Sequence, residues 1–108
     1  MARFKIDLAE VADWDSFHTT FQQVMKFFEG YGRNMNAWID CMTDLHGDRA
    51  LSGHQLPDDE AVELVLLGAE DFGERCPKIA ASLAGCTAFA NRRYEAMGSA
   101  VRIALILE

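Results

Sequence analysis

Val101-Arg102-Ile103-Ala104-Leu105-Ile106-Leu107 is the stretch that decides the fold. It is almost continuously apolar, and such a run suits a strand buried on both faces of a parallel sheet. Two further strands are legible upstream. Phe4, Ile6 and Leu8 alternate with Lys5 and Asp7, the period of a half-buried strand. Val62 to Leu67 has the apolar density of another. The segments between them are helical in pattern, and strands separated by helical crossovers favour parallel pairing. The order β-α-α-β-α-α-β predicts an α/β fold: a small three-stranded parallel sheet with about four helices packed on it, in one domain over residues 1–108.

The first helix carries Trp14, Phe17, Phe21, Val24 and Phe28 at alternating steps of three and four, so they share one face. Asp13 is placed to cap its start and Gly30 to end it. His18 falls on its polar side and is expected in solvent. In the second helix Asn34 is the candidate N-cap, and Met35, Trp38, Met42 and Leu45 step inward. Its opposite face collects Arg33, Asn36, Asp40 and either Thr43 or Asp44. Asn36 and Asp40 are i, i+4 neighbours whose side chains project together. Residues 46–60 read as a polar loop whose length allows mobility. From Ala69 to Met97 the pattern is helical, with Phe72, Cys76, Ile79, Leu83 and Cys86 on one side. Pro77 and Gly85 are expected to break or kink it.

The chain has 17 acidic and 10 basic residues, a formal charge of −7. The excess is local. Residues 1–39 carry net −1, residues 40–71 carry nine acids against Arg49 alone, and residues 72–108 carry net +2. An acidic middle third repels nucleic acid and anionic membrane and attracts a basic partner, although a solvated acidic surface also serves solubility. No apolar run approaches the ~20 residues that cross a bilayer. The start, Met1 to Asp7, lacks the long apolar stretch of a signal peptide, so the expected location is the cytoplasm. Cys41, Cys76 and Cys86 are odd in number and contain no C-x-x-C pair. Reduced, buried thiols are expected, and their spacing matches no zinc pattern.

Tyr31-Gly32-Arg33-Asn34-Met35-Asn36-Ala37-Trp38-Ile39-Asp40-Cys41-Met42-Thr43 resembles the signature of the barstar family of ribonuclease inhibitors. That signature runs roughly Tyr-Gly-x-Asn-x-Asp-Ala-x-Trp-Asp-Cys-x-Thr. Tyr31, Gly32, Asn34, Ala37, Asp40, Cys41 and Thr43 match it. The long helix before it and the closing apolar strand also resemble the family. The resemblance implies a non-catalytic protein without cofactor or metal, monomeric when free, whose partner is a basic ribonuclease. In that family the second helix and the loop before it enter the nuclease active site. The implied contact set is Tyr31, Gly32, Arg33, Asn34, Asn36, Ile39, Asp40, Thr43 and Asp44, with Asp40 as the central acid and Asn34 as the capping residue. A ribonuclease holds phosphate with cationic side chains, and a carboxylate on a rigid helix can stand in for that phosphate.

The chain departs from the signature at Asn36, where the family has an acid, and at Ile39, where it has an aromatic. Trp38 sits one position earlier, turned roughly 100° about the helix axis and toward the core. Gly30 and Arg33 replace an aromatic and an acidic residue. Two readings stay open for Tyr31, packing at the helix entrance or partner contact.

Asp44, His46, Asp48 and His54 crowd the polar loop, a composition that can bind metal, but no metal-site spacing is met and the EF-hand pattern fails. A polar loop at an interface rim is the plainer reading. Arg92-Arg93 beside Tyr94 forms a basic patch suited to offset the acidic segment or to cap a helix. No phosphate-binding glycine loop, nucleophile elbow or His-Cys pairing points to an enzyme. Two alternatives remain: a binding module on the same scaffold with a non-nuclease partner, and a metal-assisted hydrolase built on the His46 region.

Overall fold

The computed structural model describes residues 1–108. The order is β1 (Ala2–Asp7), a 3-10 turn (Leu8–Glu10), α1 (Trp14–Met25), α2 (Met35–Met42), β2 (Val62–Leu67), α3 (Ala69–Arg75), α4 (Pro77–Ala96) and β3 (Ile103–Leu107). The three strands form one parallel sheet in the order β1-β2-β3. The α/β class, the strand count and the four helices are those expected.

Each crossover steps one strand in the same direction, and right-handed crossovers of that kind put both helical connections on one face. Burial agrees. Val62, Leu64 and Leu66 pair in register with Ala2, Phe4 and Ile6 on one side and with Ile103, Leu105 and Leu107 on the other. Of these, Ile6, Val62, Leu64, Leu66 and Ile103 join the core. The opposite face carries Arg3, Lys5, Glu63, Val65 and Ile106, with an Arg3–Glu63 ion pair across it. β2, at the centre, is the strand buried along most of its length.

β3 therefore differs from expectation. It is an edge strand, and its core-facing row runs out of cover: Ile103 is buried but Leu107, two pairs on, is 70% exposed. Its apolar run resembles a central strand because the sheet is too narrow to cover its last strand. The amide of Asn91 closes part of that edge. Its Oδ1 accepts from the Ile103 N–H at 2.7 Å and its Nδ2 donates to the Ile103 carbonyl at 3.0 Å. A side chain thus takes the place of a fourth strand at that residue.

α1 begins as expected, with the Asp13 carboxylate accepting from the Ser16 amide at 2.8 Å. It ends at Met25, with Lys26 in the left-handed conformation, well before Gly30. Phe28 lies outside the helix and is exposed, as is Trp14, while His18 is buried. The buried stripe is Phe17, His18, Phe21 and Met25. The α3–α4 break falls at Cys76, with Pro77 opening α4, where its missing N–H costs nothing. Gly85 neither ends nor divides α4.

The 46–60 loop is tied down. Leu51 and Gly53 bridge to Phe28 and Lys26 through the backbone. The Ser52 hydroxyl donates to the Met25 carbonyl at 2.5 Å, and His54 reaches the Val24 carbonyl at 3.1 Å. No helix is long and apolar enough to cross a membrane.

Candidate functional site

α2 is short, and its start is held from two sides. Asn34, extended in backbone, accepts from the Ala37 N–H at 2.8 Å through its Oδ1 and so caps the helix. Arg33 takes a left-handed conformation, φ 53°. That turns its guanidinium back onto α1, where it donates to Asp15, Thr19 and Gln22 at 2.8–3.1 Å. Tyr31 is only 5% exposed, with its hydroxyl 2.6 Å from His18 Nδ1. This burial supports packing, one of the two readings of Tyr31. Burial, then the Arg33 cation, lowers the His18 pKa, and burial first raises that of the Tyr31 phenol. Both shifts favour the neutral forms, and the imidazole and the phenol share one short hydrogen bond.

Trp38, Cys41 and Met42 are buried against the core. Trp38 meets Phe21 edge-on, the inward turn expected of it. Burial, followed by the Asp40 and Asp44 carboxylates, pushes the Cys41 thiol up to about 11. The three cysteines are free.

Asp40 projects from α2 toward solvent, with half of its side chain exposed. Its Oδ1 accepts from Arg93 Nη1 of α4 at 2.7 Å. Its Oδ2 makes no hydrogen bond within the chain. Arg93 Nη1 also lies 3.3 Å from the Thr43 hydroxyl, and that hydroxyl donates to the Ile39 carbonyl at 2.8 Å. The aspartate is thus clamped on one oxygen and open on the other.

Asp40 stands on the rim of two depressions. One, of about 460 Å³, runs between α2 and α4 and is bounded by Asn36, Ile39, Gly85, Cys86, Phe89 and the Arg92–Arg93 pair. The other, of about 170 Å³, lies against Gly30, Gly32, Cys41 and Arg49.

Of the nine residues expected at a contact face, Gly32, Asn34 and Asn36 are exposed and Asp40 and Thr43 are half-buried. The other four are engaged within the chain. Tyr31 is packed, and Arg33 is committed to α1. Ile39 is 7% exposed and forms groove wall. Asp44 lies past the helix end and is buried, its Oδ2 accepting from the Leu51 amide at 3.2 Å. It folds the loop and does not face outward.

The polar-loop residues do not converge. His46 Nε2 is 2.6 Å from the Glu60 carbonyl and its Nδ1 3.4 Å from the Tyr94 hydroxyl, while His54 serves α1. No group of three or more His, Cys, Asp and Glu side chains is placed to hold a metal.

In the sequence Arg93 stands out only as part of a basic patch and Gly85 only as a helix break, and Phe89 does not stand out at all. The signal was present, since Gly85, Phe89, Arg92 and Arg93 follow helical spacing, but nothing local says which face of α4 meets α2.

In comparison with known proteins, the chain matches the Barstar family, described as Barstar (barnase inhibitor), over residues 1–106. No curated protein matches it.

Proposed function

Since the chain belongs to the Barstar family, we propose that it inhibits a basic, barnase-like ribonuclease by inserting α2 into the active site. Asp40 is the central contact. The observation that supports this most is the free Oδ2 of a half-exposed carboxylate on a capped, core-anchored helix. A cationic cleft built for a phosphodiester offers guanidinium, ammonium and imidazolium donors. A fixed carboxylate accepts charge-assisted hydrogen bonds from them. Rigidity matters because ordering a free side chain at the interface costs about 0.5–1.5 kcal/mol. Trp38 and Met42 on the inner face and Arg93 on the outer one remove that cost in advance.

The reaction itself belongs to the partner. This chain contributes no acid, base or nucleophile and acts by occupying the site. Its acidic middle third supports fast encounter with a basic enzyme. The cytoplasm, where such an inhibitor protects its own cell, is the location this reading implies.

The test is ribonuclease inhibition, with barnase as the first probe and other basic microbial ribonucleases beside it. The expected result is a stoichiometric complex that weakens with salt. Asp40→Ala should lose at least about thirtyfold in affinity, the low end for truncating a desolvated charge pair. Inhibition unchanged in Asp40→Ala would sink the docking mode.

A further inference from the structure

Beside Asp40 the charge reverses. The α2–α4 groove holds one carboxylate and two guanidinium groups. Arg93 is engaged by Asp40 and Thr43, whereas Arg92 forms no ion pair within the chain. Between them stands Phe89, 45% exposed, with the Arg92 and Arg93 guanidinium carbons 5.6 and 5.7 Å from its ring centroid. Cation–π contact holds the ring and both cations as one unit. Aromatic and arginine side chains are those enriched where protein interfaces are centred.

Gly85, one turn before Phe89, keeps the groove open. Glycine in place of alanine destabilises a helix interior, and a Cβ here would meet nothing within 4 Å. Packing therefore does not require the glycine, and its effect is free space beside the exposed ring.

We infer that the docking face continues across this groove, and that the partner ribonuclease brings an apolar recess for Phe89 and a carboxylate for Arg92. The partner surface is therefore two-signed: cations meet Asp40 Oδ2, and an acid at the cleft's edge meets Arg92. This inference rests on the ribonuclease-inhibitor reading and specifies which ribonucleases fit.

The experiment measures association and dissociation rates against barnase and the panel of basic ribonucleases, using the full chain. The variants are Phe89→Ala, Arg92→Glu, Gly85→Gln and, as a marker of the docking mode, Asp40→Ala. All four positions are exposed or half-buried, and thermal melts confirm folding. Phe89→Ala should weaken the complex about tenfold or more, mainly through faster dissociation. Gly85→Gln, which favours the helix but obstructs the groove, should weaken it as well. Arg92→Glu is the discriminating variant. It makes an acidic inhibitor more acidic, so long-range steering toward a basic enzyme should hold or improve, yet dissociation should accelerate about tenfold. Tighter binding by Arg92→Glu, with Phe89→Ala within twofold of the native chain, overturns the inference while leaving a damaging Asp40→Ala, and with it the docking mode, intact. Failure of the native chain to bind any ribonuclease, or an inert Asp40→Ala, defeats the reading beneath and the inference together.

Discussion

Arg93 Nη1 lies 2.7 Å from Asp40 Oδ1, joining the end of α4 to the middle of α2. This contact sets the character of the exposed face. A lone aspartate would offer two free oxygens and a full uncompensated charge. The paired one offers a single oriented oxygen and a charge already half answered. Because the side chains are 50% and 38% exposed, solvent screens the pair, and its coupling should stay below about 1 kcal/mol. A double-mutant cycle with Asp40→Ala and Arg93→Gln in urea melts measures it. A coupling of several kcal/mol would mean that the pair is a structural clamp and not a poised contact.

The Asn34 cap should be worth about 1 kcal/mol. α2 has eight residues and little helix of its own to lose. Asn34→Ala is expected to lower the urea midpoint without changing the slope, and Asn34→Asp to restore most of the loss.

Acid should weaken the fold through His18. Its folded pKa lies below the ordinary value of 6.5, first because of burial and then because of Arg33, with Asp15 opposing. The unfolded chain therefore binds more protons as pH falls below 6.5. Stability is full above that value and is lost as pH drops toward the folded pKa. Unfolding free energy should fall as the pH drops below 6.5, and the slope should shrink in His18→Gln. An identical slope in that variant would assign the effect elsewhere.

Thiol reactivity should order the cysteines. Cys41 and Cys76 are buried, Cys86 is half-buried at the groove, and Cys41 is pushed up to about 11. Reactivity follows the thiolate and its access. Iodoacetamide at pH 7.5 is expected to label Cys86 first, with Cys41 labelled only on unfolding. Peptide mass mapping over time reads this directly.

The strand and helix order was legible because each element carries its own period, and the Asp13 and Asn34 caps were legible because capping is local chemistry. The errors arose where tertiary packing decides. His18 looked polar by residue type but sits beneath Trp14 and beside Tyr31. Phe28 extended an apolar stripe on paper, whereas Lys26 ends the helix two residues earlier. The run at 103–107 reads the same at the edge or the centre of a sheet. The proposed contact face is half legible. Its α2 part follows from a short motif, while Phe89 and Arg93 join it only through a helix packing that no local pattern encodes.

Ala2 aligns with Val62, and Val62 in turn with Ile103, so no strand in the sheet has a neighbour close by in sequence. Long closures of this kind are slow to form. During synthesis the aspartate of α2 leaves the ribosome well before its arginine has been translated. Nascent or prematurely terminated product carries only one half of the proposed docking face. On the proposed reading, protection begins only once α4 has been made and has packed against α2.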